Sequence, residues 1–151
     1  MGKENRVIVD RKEMEEIIRE CKACRLGMAD EGEPYMVPMS FGYDGEVVFL
    51  HTGLKGRKIE ILQRHPRVCL EFDILDGMIE SDQGCGWSMR FRSVLVSGTA
   101  VQLSDTEEKR RGLRVIMAQY SPGDYTFPDE ILERTAVIRI DIESMTGRNR
   151  A

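Results

Sequence analysis

Nowhere do about 18 apolar residues run together, the length a membrane-crossing helix needs, and the opening stretch MGKENRVIVDRKE has no apolar leader core. Position 6 is Arg where a myristoylation signal requires Ser or Thr. A cytoplasmic chain with no membrane partner is expected. Positive charge is not in surplus either: 22 Lys and Arg stand against 26 Asp and Glu, a formal charge of −4. No long-range field therefore draws nucleic acid, and any anion site must be local. Cysteine is sparse, at positions 21, 24, 69 and 85, and Cys21 with Cys24 is the one close pair. A zinc ribbon needs two such pairs, so no metal site is expected, and Cys21 reads as a small apolar residue. Two nucleotide motifs are also missing. There is no G-x-G-x-x-G, and the triphosphate loop's Gly-Lys-Ser/Thr is replaced by Gly56-Arg57-Lys58-Ile59.

What remains describes a folded domain over residues 1–151. Hydrophobic residues make up 41% and charged residues 32%, which excludes disorder and fibre compositions. Asp10 and Glu13 form a capping-box pattern, and Met14, Ile17, Ile18 and Cys21 make one stripe of a helix over about 11–21. Three antiparallel strands follow: CRLGMA, PYMVPMSFGY and EVVFLHT, the last two divided by the hairpin dipeptide Asp44-Gly45. A short helix starts after Gly56 and stops at His65, because Pro66 disfavours helix in its predecessor. RVCLEFDIL alternates as a fourth strand, DGMIESDQGCGW breaks the period, and a fifth strand runs from Trp87. Ser104 and Glu107 form a second capping box before KRRGLRVIMAQY, and TAVIRIDIESM is a sixth strand. So many hairpins argue against a doubly wound sheet and for a small antiparallel barrel with flanking helices.

The chemistry concentrates in LHTGLKGRKIEIL, Leu50 to Leu62. Thr52, Gly53, Gly56, Arg57 and Lys58 stand between a strand and a helix start, where free backbone N–H groups and the positive helix end favour an anion such as phosphate. The plainer alternative is a glycine turn followed by a solvated helix start. His51 shares a strand face with Val47 and Phe49, so by spacing alone it is a core-edge histidine. Trp87, Met89 and Phe91 read as core or dimer interface, with stacking on a bound ligand as the alternative.

The run PYMVPMSFGYDGEVVFLHTGLKGRKIEILQRHPRVCLEFD, followed by FRSVLVSGTA, resembles the split-barrel flavin-nucleotide-binding proteins related to pyridoxamine 5′-phosphate oxidase, in the branch similar to nitroimidazole-resistance reductases. The resemblance spans about residues 10–142. It rests on Pro-Tyr-x-x-Pro, His-x-Gly-x-x-Gly-Arg-Lys and Arg-Ser-Val with a nearby Gly, in that order. It implies a mainly β, six-stranded antiparallel split barrel that forms a homodimer with FMN at the subunit interface. By resemblance, Arg57 and Lys58 grip the FMN phosphate with help from Thr52. Met36, Val37, Pro38, Met39 and Ser40 run along the isoalloxazine and ribityl chain. Arg92 and Ser93 contribute near the phosphate or from the facing subunit, and His51 stands beside the flavin as the catalytic residue.

The implied activity is an FMN-dependent oxidoreductase that takes electrons from a reduced nicotinamide or a redox protein. Its acceptor is a small molecule, nitroaromatic and 5-nitroimidazole-like. The alternative is a flavin- or haem-binding module for storage, sensing or haem degradation. Vitamin B6 oxidation is not expected, because SMTGRNRA lacks the carboxy-terminal Arg-x-His element of those oxidases.

Overall fold

The computed structural model describes residues 5–151, so residues 1–4 of the expected domain lie outside it. Its elements run β1 (Arg6–Ile8), α1 (Arg11–Glu20), β2 (Cys24–Asp30), β3 (Glu33–Met39), β4 (Gly42–Tyr43) and β5 (Val47–Gly53). Then come α2 (Arg57–Arg64), β6 (Arg67–Ile79), β7 (Ser88–Gln102), α3 (Thr106–Tyr120), α4 (Asp129–Glu133) and β8 (Thr135–Arg150).

Local chemistry sets many of these boundaries. The Asp10 carboxylate accepts the Lys12 N–H at 3.1 Å and opens α1, whose Met14, Ile17 and Ile18 are buried. Glu31 and Gly32, both at positive φ, turn β2 tightly into β3. One Asp44 carboxylate oxygen accepts the N–H groups of Glu46 and Val47, each at 2.8 Å, and fixes the turn into β5. Pro66 follows His65, whose N–H closes α2 on the Ile61 carbonyl at 2.7 Å.

Seven strands form an antiparallel path, β3-β2-β6-β7-β8-β5-β4, with β1 pairing on the far part of β8. The edge strands β3 and β4 are consecutive in the chain, joined at Ser40 and Phe41, so the sheet curls back on itself as a split barrel. Phe41, Leu26, Leu50, Leu70, Phe72, Val94, Val96 and Ile140 fill it. Phe41 and Phe72 meet edge to face at 4.9 Å. A second, smaller cluster lies outside the barrel, where α3 and α4 cover Phe49 and Val137 with Leu113, Ile116 and Leu132. Strands β5 and β8 are thus apolar on both faces. Gly42 makes the α3 contact possible, because a Cβ there would stand 2.5 Å from the backbone of Val115 and Ile116.

The barrel class is as expected; the strand inventory is not. Eight strands, not six, are found among the described residues. The stretch Pro34–Tyr43, read as one strand, breaks after Met39, where the chain crosses from one sheet edge to the other. Strand β1 was not foreseen. Strand β6 runs on to Ile79 through a bulge at Asp76, so DGMIESDQGCGW is partly strand, and β8 continues to Arg150 through a bulge at Glu143. The cap of α3 is Asp105, whose carboxylate accepts the Glu108 N–H at 3.0 Å, rather than Ser104.

Cys21 and Cys24 are buried in the core, and burial pushes their thiols up to about 11 and about 12. Both therefore pack as neutral, apolar groups. No helix of the described residues is long and apolar enough to cross a membrane.

Candidate functional site

The corner between β5 and α2 carries the groups selected from LHTGLKGRKIEIL. Gly56 stands at φ 130°, ψ 174°, a conformation open essentially to glycine alone, and no side chain caps the helix it begins. The first N–H groups of α2 consequently lack intrahelical partners and carry the positive end of its dipole. A Cβ built on Gly56 would meet nothing within 4 Å, so the space before the helix is open. Arg57 is exposed and Lys58 half-buried. No carboxylate lies within ion-pair reach of either among the described residues, which sets them apart from arginines such as Arg25, Arg64 and Arg92. The Arg57 guanidinium instead lies over the Tyr35 ring, 4.2 Å from its centroid.

Thr52 is half-buried beside this corner, and His51 precedes it with its ring only partly covered. The imidazole Nε2 is 3.4 Å from Ser40 Oγ, across the chain crossing between β3 and β4. Partial burial, then the Lys58 charge, holds His51 below its ordinary value, so the ring is neutral at pH 7. A neutral imidazole offers one N–H and one acceptor nitrogen rather than a charge.

The structure brings Ser40, His51, Thr52, Arg57 and Lys58 to one end of the barrel. The run Met36 to Ser40 divides by strand alternation. Met36, Pro38 and Ser40 are exposed, whereas Met39 is buried and Val37 packs on the core, so these two can line a ligand with backbone only. Beside Tyr35, the outer faces of β2, β3, β6 and β7 form a groove of about 440 Å³ lined by Gly27, Met36, Arg67, Cys69 and Ser97 among others.

Arg92 and Ser93 are not part of this corner within one chain. Ala100, which packs at α2, lies eight residues farther along β7, a span of about 26 Å at ~3.3 Å per residue. The Arg92 donors are already taken, by Asp76 at 2.8 and 2.9 Å and by Glu20 at 2.7 Å. The guanidinium holds both carboxyls below the usual range. Arg92 is thus a clamp between α1 and the β6 bulge. Ser93 lies on the outer sheet face, half-buried.

Tyr35 lies in the Pro-Tyr-x-x-Pro element, and its contact with Arg57 joins residues 22 positions apart in sequence. A second group not foreseen is Asp30, Glu31 and His65, whose ligand-type atoms lie within 4.8 Å of one another. His65 Nε2 is 2.7 Å from Glu31, and Arg64 is 3.0 Å from Asp30, so the group ties the β2–β3 turn to the end of α2.

A family model described as pyridoxamine 5′-phosphate oxidase matches residues 10–149. The chain belongs to the pyridoxamine 5′-phosphate oxidase family. Among solved structures of this fold, a candidate 5-nitroimidazole antibiotic resistance protein from Bacteroides thetaiotaomicron is 37% identical, with 99% of this chain and 89% of that one covered and a TM-score of 0.88. A flavocytochrome from Azotobacter vinelandii is 26% identical over 96% of this chain and 69% of its own, with a TM-score of 0.86. An FAD- and haem-binding protein from Mycobacterium smegmatis, at 17% identity over 95% and 73%, shares the fold with a TM-score of 0.88. A search of curated proteins returned no match.

Proposed function

We propose that the protein is an FMN-dependent oxidoreductase, working as a homodimer, that reduces a small nitroaromatic, 5-nitroimidazole-like acceptor with electrons from a reduced nicotinamide or a redox protein. The observation that carries this reading is the uncapped start of α2 at Gly56, open in front and flanked by Arg57 and Lys58 without carboxylate partners. That donor set fits a terminal phosphate: two cations, backbone N–H groups and the Thr52 hydroxyl, with Glu60 the acid of the helix's first turn and out of ion-pair reach of both cations. Met36, Pro38 and Ser40 would line the rest of the flavin with their side chains, and Val37 and Met39 with their backbone. The flavin, when bound, supplies the electron transfer itself. This chain holds the phosphate, shapes the pocket and presents His51, whose neutral ring orients an acceptor through a hydrogen bond rather than by charge.

The homodimer is supported by the outer face of the sheet, where Met36, Leu75, Met78, Met89 and Leu95 are each about half exposed or more. Partnering there would carry Ser93 of one subunit toward the corner of the other. Arg92, held by Glu20 and Asp76, supports the subunit from within instead. A cytoplasmic setting accords with four free thiols.

The similarity to a flavocytochrome favours one second reading, a flavin- or haem-binding module without turnover. The deciding experiment is anaerobic reduction of the flavin-loaded protein by NADH or NADPH, followed by addition of a 5-nitroimidazole. Fast reoxidation supports the oxidoreductase. Reoxidation no faster than in its absence leaves the binding module.

A further inference from the structure

We infer that Tyr35 is a positioning residue of the phosphate site, holding the Arg57 guanidinium so that its N–H edge stays free for an anion. The inference rests on the phosphate reading above and adds a residue to it. Arg57 is an exposed, flexible side chain at the first position of α2. Left alone it would sample many rotamers. Tyr35 is half-buried and packs on the barrel core, so its ring is a fixed platform, and the guanidinium carbon lies 4.2 Å from its centroid.

The mode of holding matters. A carboxylate partner fixes an arginine by taking its in-plane donors, as Glu20 and Asp76 take those of Arg92. An aromatic ring attracts the cation through its face, and the Arg57 guanidinium makes no side-chain hydrogen bond or ion pair among the described residues, so its N–H donors are not taken by a carboxylate. Arg57 is therefore ordered and still unspent. This reserves Arg57 for a doubly or singly charged phosphate group, and it makes the Pro34-Tyr35 element part of ligand affinity although it contributes no donor itself.

The test is titration of flavin-free protein with FMN and, separately, with riboflavin, which lacks the phosphate. For Y35L the expected result is FMN binding weakened about two- to fivefold with riboflavin unchanged, the size of an exposed cation–π contact. Y35F, which keeps the ring, should match the parent, and Y35L in an R57A background should add nothing. Should Y35L not fold, Y35M fills the same space and carries the same comparison. Unchanged FMN affinity in the Tyr35 variants while R57A weakens it would overturn the inference and leave the phosphate reading standing. Equal weakening of FMN and riboflavin would also overturn it, since the ring would then serve the flavin body or the fold. If R57A itself leaves FMN affinity unchanged, the phosphate reading falls and the inference with it.

Discussion

Replacing Arg57 and Lys58 together by Ala removes both cations at the start of α2 while leaving the backbone N–H groups and Thr52 in place. Each charge-assisted hydrogen bond to an anion contributes on the order of 1.5–3 kcal/mol. Arg57 is exposed and Lys58 only half-buried, so solvent screening places both near the low end. Together they amount to about 3–4 kcal/mol, a rise in Kd on the order of 10²- to 10³-fold. The assay is quenching of flavin fluorescence as flavin-free protein is titrated, with riboflavin as the phosphate-free control. The double variant should lose FMN on that scale and keep its riboflavin affinity. Added salt should weaken FMN binding to the parent more than to the variant. A change in FMN Kd below about fivefold would mean that the phosphate lies elsewhere, because two cations contacting a phosphate cannot be removed at so small a cost.

Three other outcomes follow from the same geometry. H51Q should hold FMN as the parent does and slow nitro-acceptor reduction roughly tenfold, the worth of one hydrogen bond of ~1.4 kcal/mol; stopped-flow rates equal to the parent's would return His51 to a structural edge position. K58M should move the His51 pKa upward toward its ordinary ~6.5, but only in part, because burial is the first cause of its lowering. The imidazole proton signals followed by NMR against pH report this, and no upward movement would remove Lys58 as a cause. Since the folded ring binds its proton less tightly than the unfolded one, His51 subtracts stability as pH falls through ~6.5, and K58M should lessen that loss. G42A should destabilise by about 2–3 kcal/mol in urea, since the added Cβ meets the α3 backbone at 2.5 Å; a loss under 0.5 kcal/mol, against roughly 1–3 for overpacking in general, would mean that α3 yields freely.

Features written in neighbouring residues are legible in the sequence. Asp10 caps its helix, Asp44-Gly45 turns its hairpin and Pro66 ends α2 as their chemistry requires. Features that depend on distant partners are not. Strand β1 is only Arg6–Ile8 and is a strand because Gly147–Asn149 lies beside it. The bulges at Asp76 and Glu143 interrupt pairing without ending it, so a change of period there looked like a loop or an end. The candidate site divides in the same way. Glycines and cations between a strand and a helix mark an anion corner locally, whereas the roles of Tyr35 and Arg92 depend on what folding sets against them. Arg92 meets Glu20 from 72 residues away, and that pairing changes it from a ligand candidate into a clamp.

Whether the β5–α2 corner holds a flavin phosphate is read from the ligand that the protein carries. The protein, purified under mild conditions, gives a visible spectrum, and denaturation releases its ligand for mass analysis, with the R57A/K58A variant prepared in parallel. A flavin phosphate in the corner means a two-banded yellow spectrum and released FMN from the parent, and a colourless variant. A sharp Soret band, or a variant as yellow as its parent, would contradict it.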